Sequence, residues 1–457
     1  MKAVIVRCML ILLFLTSPVL AEHLTESQIY FYTWYDNPNT GSLACAGAYI
    51  GSGNWRHWNQ PFKQGGYTPH PEKGDISSYY WPQRNQYSSF CRTTINQQMD
   101  EIKQYGHIGV IIHDWFGYGS AGDQNANAVI SSANARGLKV AFVIDSYKIS
   151  AANREHYGDE NGNYCGANGD FRNACTIRVD IEQIVHDYAS QDGYWHIQRW
   201  TAAYPRPDGA PTATAASRPI IYVFASNKST KNPYGLSNAE WKNLIGKKRV
   251  AHTLPPSNPD SIRHDLDDYS APAPNDCVVI GMGTSATTMV ATLNFDGFHL
   301  YDGYSDIYGA NQQVEWAKNA KTVNGIFVAA VAPGKHNLGK TNFADRTKTE
   351  KLNFGVNSNK WLYDYRWDQV INTVSSWAAI ISYNEFHEGT QIEPTVEHTP
   401  DSGSTRPSTA VCPPNSCGNS TVYCHYNCDF GVSSDAPTAY LTKTATKAKL
   451  FNTGTRP

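Results

Sequence analysis

Ile380-Ile381-Ser382-Tyr383-Asn384-Glu385-Phe386-His387-Glu388-Gly389-Thr390-Gln391-Ile392-Glu393 is the stretch on which the reading of the chain turns. The apolar run that enters it, Ala378 to Ile381, has the character of a strand buried on both faces. It breaks off into two carboxylates three residues apart, with aromatic, amide and imidazole groups around them. Carboxylates placed where a buried strand surfaces are costly unless they are hydrated, paired or used.

Seven earlier runs share that character: Ile29–Thr33, Gly109–Ile112, Val140–Ile144, Pro219–Phe224, Val278–Ile280, Phe298–Tyr301 and Ile326–Val331. Near-continuous apolar strands belong to parallel sheets covered on both faces. Helical segments are expected between them, at 94–106, 124–136, 178–190, 236–246, 284–293, 310–322, 361–376 and 437–451. Ile95, Met99 and Ile102 share one face of the first, and Val129, Ile130 and Ala133 one face of the second. Eight such units predict an α/β fold, a (β/α)8 TIM barrel. Its usual length is about 250 residues, so the surplus falls in long loops at 36–93, 147–177, 201–218, 252–276, 332–360 and 394–436. The last is a Cys-rich insertion before the final helix.

Such a barrel keeps its chemistry at the C-terminal ends of the strands. Those ends read Tyr30, Tyr32, Trp34 and Tyr35, then His113, Asp114 and Trp115, then Asp145, Tyr147 and Lys148, then Tyr301 and Asp302, and finally Asn384, Glu385, His387 and Glu388. Each has a plain alternative: a strand-end aromatic is often core, and Asp145 suits a helix cap. His113 and His387 are expected to orient neighbours rather than bind metal.

Bulk properties exclude several classes. A net charge of −2 in 457 residues gives no electrostatic footing for nucleic acid or an anionic membrane. Residues 1–21 read as a secretory signal peptide: Lys2 and Arg7, an apolar core from Met9 to Leu15, and a small-residue site at Val19-Leu20-Ala21. That core is far shorter than the roughly 20 residues a membrane anchor needs, and no later segment is long enough. A single domain over 22–457 is expected in the secretory pathway, secreted or in the Golgi or endomembrane lumen, with no stable membrane anchor after signal cleavage.

Cysteine use fits that compartment. Cys8 leaves with the signal, and nine remain: Cys45, Cys91, Cys165, Cys175, Cys277, Cys412, Cys417, Cys424 and Cys428. Cys165 with Cys175, and the four from Cys412 to Cys428, are disulfide candidates by proximity. An odd count leaves one thiol free or bonded to another chain. The 412–428 spacing can also be read as a zinc site, but secretion favours disulfides. Asn227 and Asn419 stand in glycosylation acceptor sequences.

Rival motifs fail. His387-Glu388 opens like a zinc-protease helix, but Gln391 stands where the second His belongs. Gly281-Met282-Gly283 loosely matches a dinucleotide loop, but secretion does not suit a dinucleotide enzyme. There is no G-x-S-x-G elbow. No metal or cofactor is expected. Glu385 and Glu388 remain. On a helical turn, residues three apart lie about 5–6 Å from each other, and close carboxyls raise each other's proton affinity. Glycoside hydrolysis needs one carboxyl that holds a proton and one that does not. A solvated surface Glu-x-x-Glu turn is the bland alternative, and the buried strand ahead of the pair argues against it.

Tyr383-Asn-Glu-Phe-His-Glu-Gly-Thr-Gln-Ile-Glu393 closely resembles the signature of glycoside hydrolase family 99, the endo-α-1,2-mannosidases. Further matches in order are Tyr30–Pro38, His57-Trp58-Asn59, Gly109–Trp115, Ala141–Lys148, Phe295-Asp-Gly297 with Tyr301, and Pro333-Gly334. The resemblance implies a (β/α)8 fold and metal-free, retaining, endo-acting hydrolysis of α-mannosidic linkages, the partner being an oligosaccharide or glycoprotein glycan. It implies that Glu385 deprotonates the sugar's own 2-hydroxyl, which attacks to give a 1,2-anhydro sugar, and that Glu388 protonates the leaving oxygen and then activates water. It makes Tyr30, Trp34, His57, Trp58, Trp115, Phe116, Tyr147, Lys148, Tyr301, Asn384 and His387 candidate substrate-binding residues. Departures from the family pattern are Phe386 for a usual Trp, Phe116 for Tyr or Trp, and no Gly-Arg after Lys148. These bear on which sugar is preferred, as does the 394–436 insertion.

Overall fold

In the computed structural model of the chain, the described residues are 26–38, 45, 54–61, 67–105, 107–145, 174–198, 217–224, 236–245, 277–301, 312–323, 325–335, 362–373, 375–401, 423, 426 and 436–454. Their strands are β1 (Glu26–Phe31), β2 (Ile108–Trp115), β3 (Lys139–Ile144), β4 (His196–Gln198), β5 (Ser217–Val223), β6 (Val278–Met282), β7 (Gly297–His299), β8 (Ile326–Val331) and β9 (Trp377–Ile380). All but β4 form one parallel sheet, which the β3–β5 pairing closes into an eight-stranded barrel. Each of the eight apolar runs expected from the sequence lies on one of these strands. The short β4 was not expected. It pairs antiparallel with the outer start of β5 and carries too little apolar sequence to announce itself.

Helices follow the strands as expected: α1 (Arg92–Gln104), α2 (Ala121–Asn134), α3 (Ala174–Gln183), α4 (Asn238–Ile245), α5 (Gln312–Thr322), α6 (Leu362–Ile371) and α7 (Ala439–Asn452). Two helical turns take the wider π form instead, at Ile184–Tyr188 and Thr287–Thr292. Ser120 caps α2, its Oγ accepting the Asp123 N–H at 3.2 Å. The buried face of α1 is Ile95, Met99 and Ile102. From α7, Asn452 accepts the Ser27 hydroxyl of β1 at 2.8 Å, tying the last helix to the first strand.

The strand register decides which side chains can reach the barrel axis. Successive residues face opposite sides of a sheet. Tyr30 and Gln28 of β1 point inward, where Tyr222 of β5 donates to Gln28 and Tyr30 donates to His299 Nδ1 at 2.9 Å. His299 Nε2–H in turn donates to the Val223 carbonyl at 3.0 Å. Burial lowers the His299 imidazole to about 4, so it is neutral and its free nitrogen can accept. The opposite parity, Phe31, His113, Trp115 and Phe142, faces the helix layer.

The long loops above the barrel are also fastened. Cys45 is disulfide-bonded to Cys91, which joins two ends of the 36–93 loop at the entrance to α1. This pairing was not among the expected ones, because residues 46 apart carry no local spacing signal. Cys277 is a buried thiol. From the 394–436 insertion, Tyr423 donates to Asp75 at 2.8 Å and Tyr426 to the Glu393 carbonyl at 2.8 Å. Residues 1–21, Tyr147, Lys148, Cys165, Cys412, Cys417, Cys424, Cys428, Asn227, Asn419 and the Cys175 side chain lie outside the described residues.

Candidate active site

The site is built on the loop that leaves β9. The Ile381–Ser382 peptide bond is cis. Ser382 N–H donates to the Thr390 carbonyl and Ile392 N–H to the Ser382 carbonyl, each at 2.9 Å, so the loop closes on itself. Gly389 makes the turn at φ 67°, a conformation that favours glycine. Tyr383 N–H continues the pairing to the Tyr30 carbonyl at 2.8 Å. Asn384 clamps the next strand end through both ends of its amide: it accepts Tyr32 N–H at 2.8 Å and donates to the Tyr32 carbonyl at 2.7 Å. Glu385 N–H donates to Ser382 Oγ at 2.8 Å, and Phe386 N–H to the Tyr35 hydroxyl at 2.9 Å. Both glutamates are therefore held by a backbone with little freedom.

Their environments differ. Glu385 is 2% exposed, and its Oε1 accepts the Glu388 N–H at 3.1 Å. Burial, and then the charge of Glu388, pushes its carboxyl well above the usual range; the Glu388 and His387 N–H groups and Lys335 pull the other way by less. The side chain of Glu388 is 26% exposed and pairs with Lys335, Nζ to Oε1 2.8 Å. Its Oε2 is buried and meets no hydrogen-bond partner among the described residues. The two carboxyls thus sit in unequal environments: Glu385 is buried and held toward its protonated form, while Glu388 is part-exposed against an ammonium.

Tyr32 and Tyr301 join hydroxyls at 2.6 Å beside the pair, and the charges of both glutamates raise both phenols further. An aromatic platform adjoins them. Trp34 stacks on Tyr32 (4.4 Å between centroids), on His57 (4.7 Å) and on Phe116 (5.3 Å). Burial, Arg56 and His387 lower the His57 imidazole to about 3, so it is a neutral ring in this stack. Gln60 Nε2 lies 2.6 Å from its Nδ1. His387 meets Ser77, Nδ1 to Oγ 2.9 Å, an orienting contact. Flat apolar rings beside hydroxyls and carboxylates suit a sugar, whose ring carbons stack while its hydroxyls bond.

Four of the expected site residues make their contacts within the protein. Trp115 is fully buried on the outer parity of β2, stacked on Phe142 at 5.5 Å and edge-on to Tyr188. Trp58 is 1% exposed, stacks on Tyr35 at 4.2 Å and donates to the Tyr87 carbonyl at 2.8 Å. Tyr30 lies beneath the site with its hydroxyl on His299, and the Asn384 amide is occupied by Tyr32. These residues support the site from below and behind. Trp34, His57 and Phe116 form one stack, Tyr301 lies within the field of both glutamates, and His387 sits between the glutamates in sequence with its ring on Ser77.

Sequence reasoning passed over Lys335, which stands just beyond β8 in the turn Pro333-Gly334-Lys335, with Gly334 at φ 133°. A strand-end position on a barrel was the available signal. It also passed over Ser77 and Arg84, both supplied by the 36–93 loop. Arg84 reaches Glu393 at 2.8 Å and also pairs with Glu101. Among the described residues, no cluster of three or more His, Cys, Asp or Glu side chains is placed to hold a metal ion, and no helix is long and apolar enough to cross a membrane.

A closed (β/α)8 barrel with two unequal carboxyls, a hydroxyl pair and an aromatic platform at the C-terminal mouth defines the class of barrel glycoside hydrolases. The family follows from the sequence profile of glycosyl hydrolase family 99, which matches residues 21–158 and 211–404. The chain belongs to that family and is a glycoside hydrolase. The unmatched stretches contain β4 and the cysteines from Cys412 to Cys428. The chain is 24% identical over 398 residues to a glycoprotein endo-alpha-1,2-mannosidase-like protein of Mus musculus, covering 82% of this chain and 70% of that one. It is also 24% identical over 401 residues to a glycoprotein endo-alpha-1,2-mannosidase of Xenopus laevis, covering 81% and 70%. The fold is similar to that of the family 99 endo-alpha-mannosidase from Bacteroides thetaiotaomicron, with TM-score 0.63 and 21% identity over 94% of this chain and 98% of that one.

Proposed function

We propose that the protein cleaves an internal α-1,2-mannosidic linkage of an N-glycan or mannan, retaining configuration through a 1,2-anhydro sugar. The observation that carries this is the Glu385–Glu388 pair on one rigid turn, linked by the 3.1 Å bond from Glu388 N–H to Glu385 Oε1, beside a sugar-sized aromatic platform. Two carboxyls this close on one side of a bond do not leave room for an attacking water between them, as direct inversion requires. An internal nucleophile removes that requirement.

In the first step ionised Glu385 takes the proton of the substrate's 2-hydroxyl. That oxygen attacks the anomeric carbon, the glycosidic bond breaks, and Glu388 gives its proton to the leaving oxygen. In the second step Glu388 takes a proton from water, the water opens the anhydro ring, and Glu385 returns its proton to the 2-oxygen. Trp34 and Phe116 stack the sugar, while Tyr32, Tyr301 and His387 hold its hydroxyls. Tyr147 and Lys148 are assigned to the same rim through the family resemblance.

The protein acts as a single domain over 22–457 in the secretory pathway, secreted or in the Golgi or endomembrane lumen. The signal-like residues 1–21 and the Cys45–Cys91 disulfide support that placement. Comparing α-1,2-mannosides with and without the 2-hydroxyl on the reacting sugar tests the reaction. The 2-deoxy substrate is expected to be nearly inert, and normal cleavage of it refutes the role of Glu385. Binding without cleavage across α-mannosides and α-glucans points instead to a glycan-binding barrel.

A further inference from the structure

The proposed reaction starts from ionised Glu385 and protonated Glu388. The substrate-free geometry favours the reverse. Glu388 Oε1 is 2.8 Å from the Lys335 ammonium, whereas Glu385 is buried and feels the Lys335 charge less than its own burial and the charge of Glu388. An opposite charge at hydrogen-bond distance holds a carboxyl ionised, and burial holds one neutral.

Among the described residues, the titratable and charged groups around Glu388 come from several strand ends. Lys335 follows β8, Tyr32 follows β1, Tyr301 follows β7, and Glu385 and His387 share its own loop. His57 lies behind His387 and is neutral. Among these described residues Lys335 is the permanent positive charge in contact with the pair. It reaches in from beyond β8, a different strand from the one that carries the glutamates.

We propose that Lys335 is a positioning residue whose ammonium fixes Glu388 as the charged member of the pair until a glycan hydroxyl displaces it. When it leaves, one proton passes from Glu385 to Glu388 and the pair keeps its net single negative charge. Glu385 is then the base and Glu388 the acid, so the site becomes competent only when occupied. The ammonium thereby couples filling of the sugar site to the protonation state that cleaves. This inference rests on the proposed roles of the two glutamates.

The pH profiles of kcat/KM and kcat separate free from occupied enzyme. Their limbs belong to the coupled pair rather than to one residue. In the wild type the basic limb of kcat/KM is expected at lower pH than that of kcat. In Lys335→Met the kcat/KM limb moves to higher pH by about one to three pH units while the kcat limb stays in place, and the gap closes. Lys335→Arg keeps the gap. A Lys335→Gln variant supplies the same reading should the methionine variant fold poorly, with melting temperatures recorded for all. Coincident limbs in the wild type, or a kcat/KM limb unmoved when the charge is removed, overturn the inference. Full activity of Glu388→Gln overturns the underlying roles instead; an inactive Glu388→Gln beside an unmoved kcat/KM limb in the Lys335 variants overturns only the role of Lys335.

Discussion

Two carboxylate clusters lie on opposite sides of one loop. In front are Glu385 and Glu388; behind is Glu393, only eight positions beyond Glu385. Glu393 is fully buried, and each of its oxygens has an assigned donor: Arg84 at 2.8 Å and Gln98 at 3.2 Å on Oε1, and the Tyr87 hydroxyl at 2.8 Å on Oε2. Arg84 also pairs with Glu101 of α1, which accepts the Tyr383 hydroxyl at 2.7 Å. This cluster is a clamp from α1 to the loop. The front pair has fewer partners and one open side. A saturated buried carboxylate stiffens a fold, and an unsaturated one beside a cleft is available for chemistry.

The sharpest way to break that contrast is to neutralise a front carboxylate. Glu388→Gln is expected to lower kcat on an α-1,2-mannosyl oligosaccharide by about 10²–10⁴-fold, the usual worth of a positioned acid–base group. Its melting temperature should stay near the wild-type value, because the glutamine keeps an oxygen for the Lys335 ammonium. A stable variant that turns over normally would place the acid elsewhere.

The opposite pattern is expected behind the loop. Glu393→Ala leaves Arg84 buried with only Glu101, and breaking a buried pair costs about 3–5 kcal/mol. Urea unfolding at pH 8 would measure it. Burial pushes the Glu393 carboxyl up to about 7 against the pull of Arg84, so at pH 8 the pair is charged in the wild type. Turnover per folded molecule should remain close to wild type, and selective loss of kcat would move Glu393 into the chemistry.

The aromatic residues divide in the same way. Trp58→Ala empties a fully packed position and is expected to destabilise by about 3–5 kcal/mol. Phe116→Ala trims the outer end of the Trp34 stack and should raise KM by about tenfold or less with stability nearly kept. Equal stability losses in both would mean that the platform is core.

How far the sequence could go follows from these pairs. The strands were readable because each is apolar on both faces, and the glutamates because they interrupt such a strand. Proximity to a strand end does not reveal parity: Trp115 shares the outward face of His113, and its ring packs on Phe142. The Cys45–Cys91 bond spans 46 positions and the Arg84–Glu393 clamp 309, and no local pattern encodes either. Lys335 was hidden by its turn: a lysine after Pro-Gly is ordinary surface sequence until the barrel brings β8 beside β9.

The start of β1 supplies the gentlest test, a part-buried carboxyl at the end of the barrel away from the glutamates. Burial raises Glu26 of β1 from 4.5 to about 7, with the Gly109 and Ser27 backbones pulling it back by less. A raised carboxyl means that the folded state binds the proton more tightly than the unfolded chain. Between about pH 4.5 and 7 the folded state therefore carries more protons, and its stability falls as the pH rises through that window. Glu26→Gln retains an oxygen for the backbone donors and removes this titration. Unfolding free energies at pH 4, 5.5, 7 and 8 should decline less steeply in the variant, with its advantage over wild type greatest at pH 8. The glycosidase pH profile should not move, because Glu26 lies at the opposite end of β1 from Tyr32 and the glutamates. A shifted activity profile would show that charge at the start of β1 is felt at the mouth, and the contrast between saturated support and available chemistry would then have to include the whole barrel interior.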